Sequence, residues 1–595
     1  MEQYTWFKIK KFISKAANDR LGKTLITEDE IVMPPDEIKA DIAVPIFKVV
    51  KILKISATEV LDKFKNIQDE NPLLKKVELQ KSGFINFFIN WEKASELIFE
   101  EFKIKKDDYG KLEIGEGKTI VVDYSSPNIA KPFNIGHLRS TIIGQAIVNI
   151  YKYLGYEVIG DNHLGDWGTQ FGKLITAYKK WGSQEKVEKR LIAELVDLYL
   201  KFHQFIEENP GDKQRMEDEA RGWFKKLETG NREATELWKW FVDISVKEFQ
   251  RTYELLGIDF DYYLGESFYN EMLPEIVAET LAKGIASWDE MQESGKEEIV
   301  KDQVKEKEKV ILVKLDEFGI NVPLLIQKND GTSLYATRDI AAAKFRINKF
   351  EPEKILYVVG GEQQLYFKQV FKTLDLLGYN SDFVHIWFGL VSLPDGKMST
   401  RKGRFIYLED VLNEAIKKAS IIIKERDLDD VEIEEISKII GIGAVKYADL
   451  SQKRTKNIVF NWDKMLNIKG NSGPYIQYVA VRINSILNQL DINFENFDLS
   501  VKPYLLTEEI EQKLLKKIFI FPQIVKDAAQ TYEPHRIASF LFDLSQVFNG
   551  FYQSISVLKS ASSDLKNTRA FLIKMVEIVI RKGLNLLGIE VPPKM

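Results

Sequence analysis

The apolar and polar positions of the chain predict several strands, each followed by a polar turn and a helix. The run Thr119–Asp123 is mostly apolar, and a polar turn follows it. Apolar residues then recur at a spacing of four from Leu138 to Ile150, which predicts a helix over 138–150. A second unit of this kind occupies 158–172. Further strands are predicted at 310–315, 322–326, 354–360 and 385–393. The alternation favours a multidomain α/β protein with a parallel sheet.

Other stretches of the chain follow different patterns. Residues 183–255 are charged, poor in glycine and helical in period, which predicts a helical insertion between two halves of the sheet. Residues 289–309 are dense in charge and predict a solvated edge. From about 406 onward the pattern is helical, whereas residues 1–112 combine helical periods with a strand at 82–89 and predict a small α/β domain.

Composition narrows the class of protein. A chain of 595 residues is too long for one ordinary core, and its 45% hydrophobic and 29% charged residues are typical of a soluble globular protein. No apolar run approaches the ~20 residues of a membrane helix. Zero cysteines exclude disulfides and thiolate metal sites, and five histidines argue against a multi-histidine zinc site, so no structural metal is expected. The first residues show no secretory pattern, and a cytoplasmic location is expected.

The stretch 118–144 is the first candidate site. A helix N-terminus presents N–H groups and a positive dipole end to an anion, and Gly136 lets a ligand approach the backbone closely. The ring of His137 is placed to face the same ligand, and Asp123 ends the strand where it can meet a cation. The stretch therefore predicts a ligand with one anionic and one cationic part.

Polar side chains also follow later predicted strands, and each has a structural alternative. Tyr335 and Asp339 are four apart and share a helix face, where they either hold a cation or merely favour a helix start. The loop 394–403 contains Lys397 and two further cations, which either neutralise a polyphosphate or face solvent. Residues 361–367 place polar groups at a strand's carboxyl end, where ligands of open parallel sheets bind.

Two surfaces are candidates for nucleic-acid binding. Phe84 and Asn86 share one face of the strand at 82–89 and form either a platform for a nucleotide or ordinary core packing. A helix that begins near residue 473 has an apolar stripe and a separate polar-aromatic face, which is either a nucleic-acid surface or a structural cluster. That second face consists of Tyr475, Tyr478 and Arg482.

Two short strings at the ends of the predicted sheet resemble known signatures. Asn134-Ile-Gly-His137 resembles the HIGH signature, and Lys397-Met-Ser-Thr-Arg401 resembles the KMSKS signature, of class I aminoacyl-tRNA synthetases. Longer strings resemble arginyl-tRNA synthetases, are far more specific, and extend the similarity over essentially the whole chain. These strings are 125–132, 161–170, 334–339, 443–450 and 473–478, with shorter agreement at 266–269 and 533–536.

The resemblance implies a domain organisation and a reaction. The domains implied are a tRNA-elbow-recognition domain at 1–112, a Rossmann-type doubly wound parallel-sheet catalytic core at 113–405 with its insertion at about 183–255, a connecting helical stem at 406–470 and an all-α anticodon-binding domain at 471–595. The reaction implied is activation of L-arginine by ATP, which carries Mg²⁺ on its phosphates, followed by transfer of arginine to the 3′-terminal adenosine of tRNA(Arg). The family commonly needs bound tRNA before it activates arginine. A monomer without membrane contact is expected.

Matching positions imply roles for individual residues. The arginine side chain would be surrounded by Tyr335, Asp339 and Gln363. Its α-amino and carboxylate end would be held by Ser126, Asn128 and His137, with Asp123 assisting through its charge. ATP would contact Lys131, Asn134, Gly136, His137, Lys397, Met398, Ser399, Arg401 and Lys402. Catalysis by positioning and charge neutralisation would rest on Lys131, Asn134, His137 and Lys397. The tRNA would contact Phe84, Asn86, Tyr475, Tyr478 and Arg482.

Two positions depart from the signatures, and two alternatives stay open. Asn134 replaces the first histidine of HIGH and cannot become cationic, and Thr400 replaces the second lysine of KMSKS. Lys131 is expected to supply part of the missing charge. The first alternative is a class I synthetase for cysteine or glutamine, although a cysteine enzyme would use a thiolate zinc site that this chain cannot build. The second is a synthetase-derived binding module without catalysis, which should have lost pocket residues that are present here.

Overall fold

The N-terminal part of the molecule packs helices against a small antiparallel sheet. The computed structural model describes residues 4–35, 38–80, 83–131, 133–291, 308–329, 331–392, 407–424, 429–490 and 501–595. The first elements are α1 (Thr5–Leu21), β1 (Ile42–Pro45), α2 (Phe47–Leu53), α3 (Ala57–Phe64), β2 (Leu74–Gln80), β3 (Phe84–Ile89) and α4 (Trp91–Lys105). β3 is the central strand, and it buries Ile85, Phe87 and Ile89. Phe84 and Asn86 therefore point to the opposite face.

The middle of the chain forms a parallel sheet with helices between its strands. Its elements are β4 (Thr119–Asp123), α5 (Ile135–Tyr153), β5 (Glu157–Asp161), α6 (Thr169–Trp181), α7 (Gln184–Arg190), α8 (Ile192–Glu208), α9 (Lys213–Glu228), α10 (Arg232–Leu256), α11 (Leu273–Ala282), β6 (Ala286–Met291), β7 (Glu308–Leu315), β8 (Ile320–Lys328), α12 (Tyr335–Phe350), β9 (Lys354–Tyr357), α13 (Gln364–Leu377), β10 (Asp382–His385) and β11 (Val391–Ser392). The parallel sheet has the order β10-β9-β4-β5. The chain leaves β4 toward β5 on one side and later adds β9 and β10 on the other, which confirms the doubly wound core.

Some predicted strands have partners outside this sheet. The segments at 310–315 and 322–326 do form β7 and β8, but these strands pair antiparallel with β6 in a separate sheet. The strand predicted at 385–393 is interrupted, because β10 ends at His385 and β11 pairs with a later strand, Ile458–Val459. Apolar content identifies a short strand, but the pattern of one strand carries no information about which strand it pairs with.

The remainder of the described chain is almost entirely helical, as predicted. Its elements are α14 (Leu408–Ile423), α15 (Asp430–Leu450), β12 (Ile458–Val459), α16 (Trp462–Met465), α17 (Gly473–Asn488), α18 (Glu509–Thr531), α19 (His535–Ser554) and α20 (Ser563–Leu586). The apolar stripe of α17 is buried at Ile476, Val479 and Ile483. Among the described helices, none combines the length and apolar character needed to cross a membrane.

Candidate active site

The start of α5 is closed by a reciprocal pair of hydrogen bonds. The N–H of Gly136 donates to Asn134 Oδ1 at 2.9 Å, and the N–H of Asn134 donates to His137 Nδ1 at 3.2 Å. This capping satisfies donors that a helix otherwise leaves free, so α5 begins at Ile135, before the predicted 138. A Cβ on residue 136 would lie 2.9 Å from Asn134 Oδ1, so any larger residue there would push the capping oxygen aside.

The ring of His137 is neutral at pH 7. Burial lowers the pKa of His137 to about 4, and the nearby positive charge of Lys131 acts in the same direction. The ring of Phe133 stacks on the imidazole with 5.1 Å between the ring centroids. Because Nδ1 accepts the Asn134 N–H, the ring proton of the neutral form is on Nε2. His137 therefore offers a hydrogen-bond donor, and Lys131, which is exposed, provides the positive charge beside it.

The carboxyl ends of β4 and β5 are joined by a buried arginine from α12. Asp123 and Asp161 lie opposite each other in the ladder. Arg346 Nη2 donates to Asp123 Oδ2 at 2.8 Å and to Asp161 Oδ2 at 2.7 Å. The Ser126 hydroxyl donates to Asp123 Oδ1 at 2.9 Å. Both oxygens of Asp123 are thus engaged within the protein, and Arg346 shares its single positive charge between Asp123 and Asp161.

Asp339 lies among polar groups from two other segments. The Tyr366 hydroxyl of α13 donates to Asp339 Oδ2. His163 Nε2 lies 4.0 Å from Asp339 Oδ1, while His163 Nδ1 is 2.9 Å from the carbonyl oxygen of Leu264. Burial raises the pKa of Asp339, and the neighbouring His163 opposes that shift. The structure therefore sets this carboxylate at the junction of α12, α13 and the turn after β5.

Glu266 provides a second carboxylate close to Asp339. Burial raises the pKa of Glu266 to about 7, and the negative charge of Asp339 contributes to the increase. The positive charges of His163 and Arg338 oppose this increase without cancelling it. Two carboxyl groups that both resist ionisation, and that lie close enough to influence each other, favour a bound cation that pairs with their ionised forms.

The other residues predicted to contact arginine lie on three segments. Tyr335 is the first residue of α12, and its side chain is 63% exposed. Gln363 is exposed and ends the 3₁₀ turn Gly361–Gln363 that follows β9. The Ser126 N–H donates to Asn162 Oδ1 at 3.1 Å, and Asn128 forms a bridge with Gly165. Ser126 and Asn128 thereby join the turn after β4 to the turn after β5.

The basic loop predicted to contact ATP, residues 394–403, lies outside the part of the chain that the structure describes. Lys397, Met398, Ser399, Arg401 and Lys402 lie outside the described residues. The chain resumes next to the start of α5, where Tyr407 forms a bridge with Asn134 and the Leu408 N–H donates to the carbonyl of Phe133 at 2.9 Å.

Three residues of the site were missed by sequence reasoning. Arg346 is seven residues after Asp339 and therefore lies on the same face of α12 two turns later, so its spacing was a usable signal. Tyr366 lies in the first turn of α13, three residues after Gln363, within the polar segment that follows β9. Glu266 follows the insertion in an irregular segment, and periodicity gave no indication of it.

At both candidate tRNA surfaces, the predicted residues contact neighbouring side chains. Asn86 is buried, and its amide donates to Gln80 Oε1 at 3.0 Å, whereas the half-buried Phe84 packs edge-on against the exposed Phe47. On α17, the Arg482 guanidinium lies 4.5 Å from the ring centroid of Tyr478 and also donates to Asn549. The residues of this second cluster are Tyr475, Tyr478, Arg482, Asn549 and Tyr552.

Comparison with family models identifies the class of protein. Residues 100–462 match the model described as tRNA synthetases class I (R), catalytic domain. Residues 8–89 match the arginyl tRNA synthetase N terminal domain, and residues 476–595 match the DALR anticodon binding domain. The doubly wound sheet, the capped helix start and these matches together define a class I aminoacyl-tRNA synthetase.

Individual relatives identify the family. The chain is 42% identical over 590 residues to the arginine–tRNA ligase of Halothermothrix orenii, covering 99% of both chains, and 40% identical over 571 residues to that of Alkaliphilus metalliredigens, covering 95% of both. The fold is shared with the arginyl-tRNA synthetases of Plasmodium falciparum (TM-score 0.78, 24% identity, 99% and 98% coverage) and Thermus thermophilus (TM-score 0.79, 21% identity, 99% coverage of both). The chain belongs to the arginyl-tRNA synthetase family, whose members attach arginine to tRNA(Arg) with ATP as a substrate.

Proposed function

We propose that this arginine–tRNA ligase binds the guanidinium of its substrate between Asp339 and Glu266. The observation that carries the proposal is the pair of neighbouring carboxyl groups whose pKa values are raised by burial. A guanidinium is a planar cation with donors arranged in a fork, so it can satisfy carboxylates on two sides at once. Tyr335 and Gln363 at the rim supply a phenol and an amide oxygen for the remaining donors.

The other end of arginine is assigned to the turn after β4. Ser126, Asn128 and His137 are proposed to hold the α-amino and carboxylate groups. Asp123 acts mainly through Ser126, because Arg346 and the Ser126 hydroxyl occupy its two oxygens. The buried ion pair thus fixes the turn, and the charge of Asp123 reaches the α-amino group only in attenuated form.

The phosphates of ATP are assigned to the start of α5 and to the basic loop. Lys131 contributes charge, Asn134 and Gly136 contribute the capped helix start, and His137 donates from Nε2. Mg²⁺ enters as part of the substrate, on the phosphates. The loop residues proposed to complete this set are Lys397, Met398, Ser399, Arg401 and Lys402.

With both substrates in place, the reaction requires positioning rather than a general base. A carboxylate oxygen of arginine attacks the α-phosphorus, and the bond to the pyrophosphate oxygen breaks. Neutralisation of the developing charge by Lys131, Lys397 and the hydrogen bond from His137 lowers the barrier. The 2′-hydroxyl of the terminal tRNA adenosine then attacks the activated carbonyl and AMP leaves.

Recognition of tRNA is assigned to both ends of the chain. Phe84 and Asn86 on β3 are proposed to contact the tRNA elbow, and the cluster of Tyr475, Tyr478 and Arg482 is proposed to contact the anticodon arm. Aromatic rings beside a guanidinium suit stacking and phosphate contacts. We assign the elbow-recognition domain to 1–112, the catalytic domain to 113–405, the helical stem to 406–470 and the anticodon-binding domain to 471–595. The protein is proposed to be a cytoplasmic monomer.

Amino-acid-dependent ATP–pyrophosphate exchange tests the proposal. Exchange measured across the twenty amino acids, with and without tRNA(Arg), should respond to arginine. Asp339→Ala should raise the KM for arginine about 100-fold, since a charge-assisted pair contributes about 3 kcal/mol. Glu362→Ala removes an exposed carboxylate beside Gln363 and is the matched control. An unchanged KM in Asp339→Ala would remove Asp339 from the pocket.

A further inference from the structure

The corner between α18 and α19 adopts an unfavourable backbone conformation. Tyr532 ends α18 with a φ of 55°, in the left-handed region that a bulky residue rarely occupies. In this conformation its carbonyl oxygen accepts a hydrogen bond from Arg454 Nε at 3.0 Å. The corner includes the segment 533–536, one of the strings on which the family resemblance rested and to which no role has been assigned. The left-handed conformation thus directs the Tyr532 carbonyl toward Arg454.

The other end of the Arg454 guanidinium reaches the catalytic core. Arg454 Nη1 donates to the carbonyl oxygen of Trp387, and the Gly389 N–H donates back to the Arg454 carbonyl at 3.0 Å. The segment 387–389 follows β10 and leads into β11. One planar side chain therefore bridges main-chain carbonyls of the C-terminal helices and of the catalytic sheet.

The segment 387–389 in turn supports the turn that ends at Gln363. The Gly361 N–H donates to the Phe388 carbonyl at 2.9 Å. A Cβ on residue 361 would lie 3.1 Å from the Trp387 ring, so the turn packs directly against this segment. The chain of contacts is thus continuous from the Tyr532 carbonyl through Arg454 to the turn Gly361–Gln363.

Helix α5 provides a second, independent attachment of the same segment. Arg139 Nη1 donates to the carbonyls of Gly389 and Lys456 at 2.6 and 2.8 Å, and its Nε bonds Asp449 at 2.9 Å. Arg139 holds the segment within the core, so loss of Arg454 should shift it without unfolding it. Arg454, unlike Arg139, connects the segment 387–389 to the C-terminal helices.

We propose that Arg454 is a positioning residue. It couples the position of the α18–α19 corner to the part of the active site that binds arginine. The inference rests on the proposed contact between Gln363 and the arginine side chain. Movement of the corner, as when tRNA occupies the C-terminal helices, shifts the Trp387 carbonyl and with it the turn that presents Gln363. The affinity of the enzyme for arginine then depends on the position of the C-terminal helices, whereas its affinity for ATP does not.

Kinetics of Arg454 variants test this inference in the full-length enzyme. Arg454→Met, and Arg454→Lys, which keeps the charge but not the fork, should each displace Gln363. The KM for arginine should then rise about fivefold to tenfold in tRNA-saturated exchange, the effect of weakening the one proposed hydrogen bond between Gln363 and arginine. The KM for ATP and the Kd for tRNA should stay within about twofold of wild type. Lys453→Met is the matched control, because Lys453 pairs with Glu533 at 3.8 Å, in the same corner, and is exposed.

Four outcomes distinguish a positioning role of Arg454 from the alternatives. An unchanged KM for arginine in both Arg454 variants overturns the inference. A rise in both KM values with a lower Tm also overturns it, since that pattern indicates general destabilisation. Gln363→Ala should raise the KM for arginine and be non-additive with Arg454→Met. If Gln363→Ala has no effect while Asp339→Ala does, the inference about Arg454 fails and the carboxylate pocket stands.

Discussion

Binding of arginine should release a proton from Glu266. Burial raises the pKa of Glu266 to about 7 in the free enzyme, so near neutral pH a large share of the molecules hold this carboxyl protonated. A guanidinium beside the carboxyl favours the ionised form, so arginine binds most tightly to enzyme that has lost this proton. Glu266→Gln removes the proton and the charge while keeping the shape of the side chain.

The size of the effect follows from the fraction of Glu266 that is ionised before binding. With a pKa of about 7, that fraction is about 0.1 at pH 6 and about 0.9 at pH 8. The Kd for arginine should therefore fall about tenfold between pH 6 and pH 8. Release should amount to about 0.9 protons per arginine at pH 6 and about 0.1 at pH 8.

The raised pKa of Glu266 also makes the folding stability of the free enzyme depend on pH. The folded-state pKa of about 7 lies above the ordinary value of 4.5, so folding favours the protonated carboxyl. The free enzyme should lose stability as the pH rises from 4.5 to 7, and bound arginine should offset the loss by pairing with the ionised group.

Isothermal titration calorimetry measures both quantities. Arginine is titrated into the enzyme with tRNA(Arg) at pH 6, 7 and 8, in two buffers that differ in ionisation enthalpy, and the difference in heat gives the protons released. Glu362→Gln, at an exposed carboxylate, is the control. A Glu266→Gln variant that still releases as many protons as wild type, or a wild-type Kd independent of pH, would refute the reasoning.

Three further predictions concern the helix cap, the tRNA surface and the buried ion pair. Asn134→Ala removes the acceptor for the Gly136 N–H, so it should cost about 1 kcal/mol of stability and lower kcat for exchange by loosening the helix start that carries His137, whereas Asn134→Ser should retain both; equal losses in the two variants would contradict a capping role. Tyr478→Ala should weaken tRNA binding in a filter assay with little change in Tm, and a lower Tm with unchanged tRNA affinity would make the residue structural. Arg346→Met should destabilise the fold by about 3–5 kcal/mol in urea unfolding, because two facing carboxylates lose their shared cation; a loss below about 1 kcal/mol would contradict this.

The capped start of α5 shows what local sequence can predict. Three signals indicate the strand, the turn and the helix directly, because each acts within a few residues. They are the apolar run Thr119–Asp123, the glycine at 136 and the apolar residues that recur every four positions after it. Tyr335 and Asp339 were placed on one helix for the same reason. Local periodicity reports backbone conformation and side-chain direction.

The carboxylate pocket shows what only the tertiary structure decided. Arg346 meets Asp123 across 223 positions of the chain, and this contact occupies one oxygen of the carboxylate that its place at a strand end suggested for a cation. Glu266 joins Asp339 from an irregular segment, and burial, which no local pattern records, raises both pKa values. The sequence by itself determined the elements and, through the resemblance, the family. Which charges neutralise each other, and which remain for the substrate, depends on long-range packing, because desolvation and pairing act through space rather than along the chain.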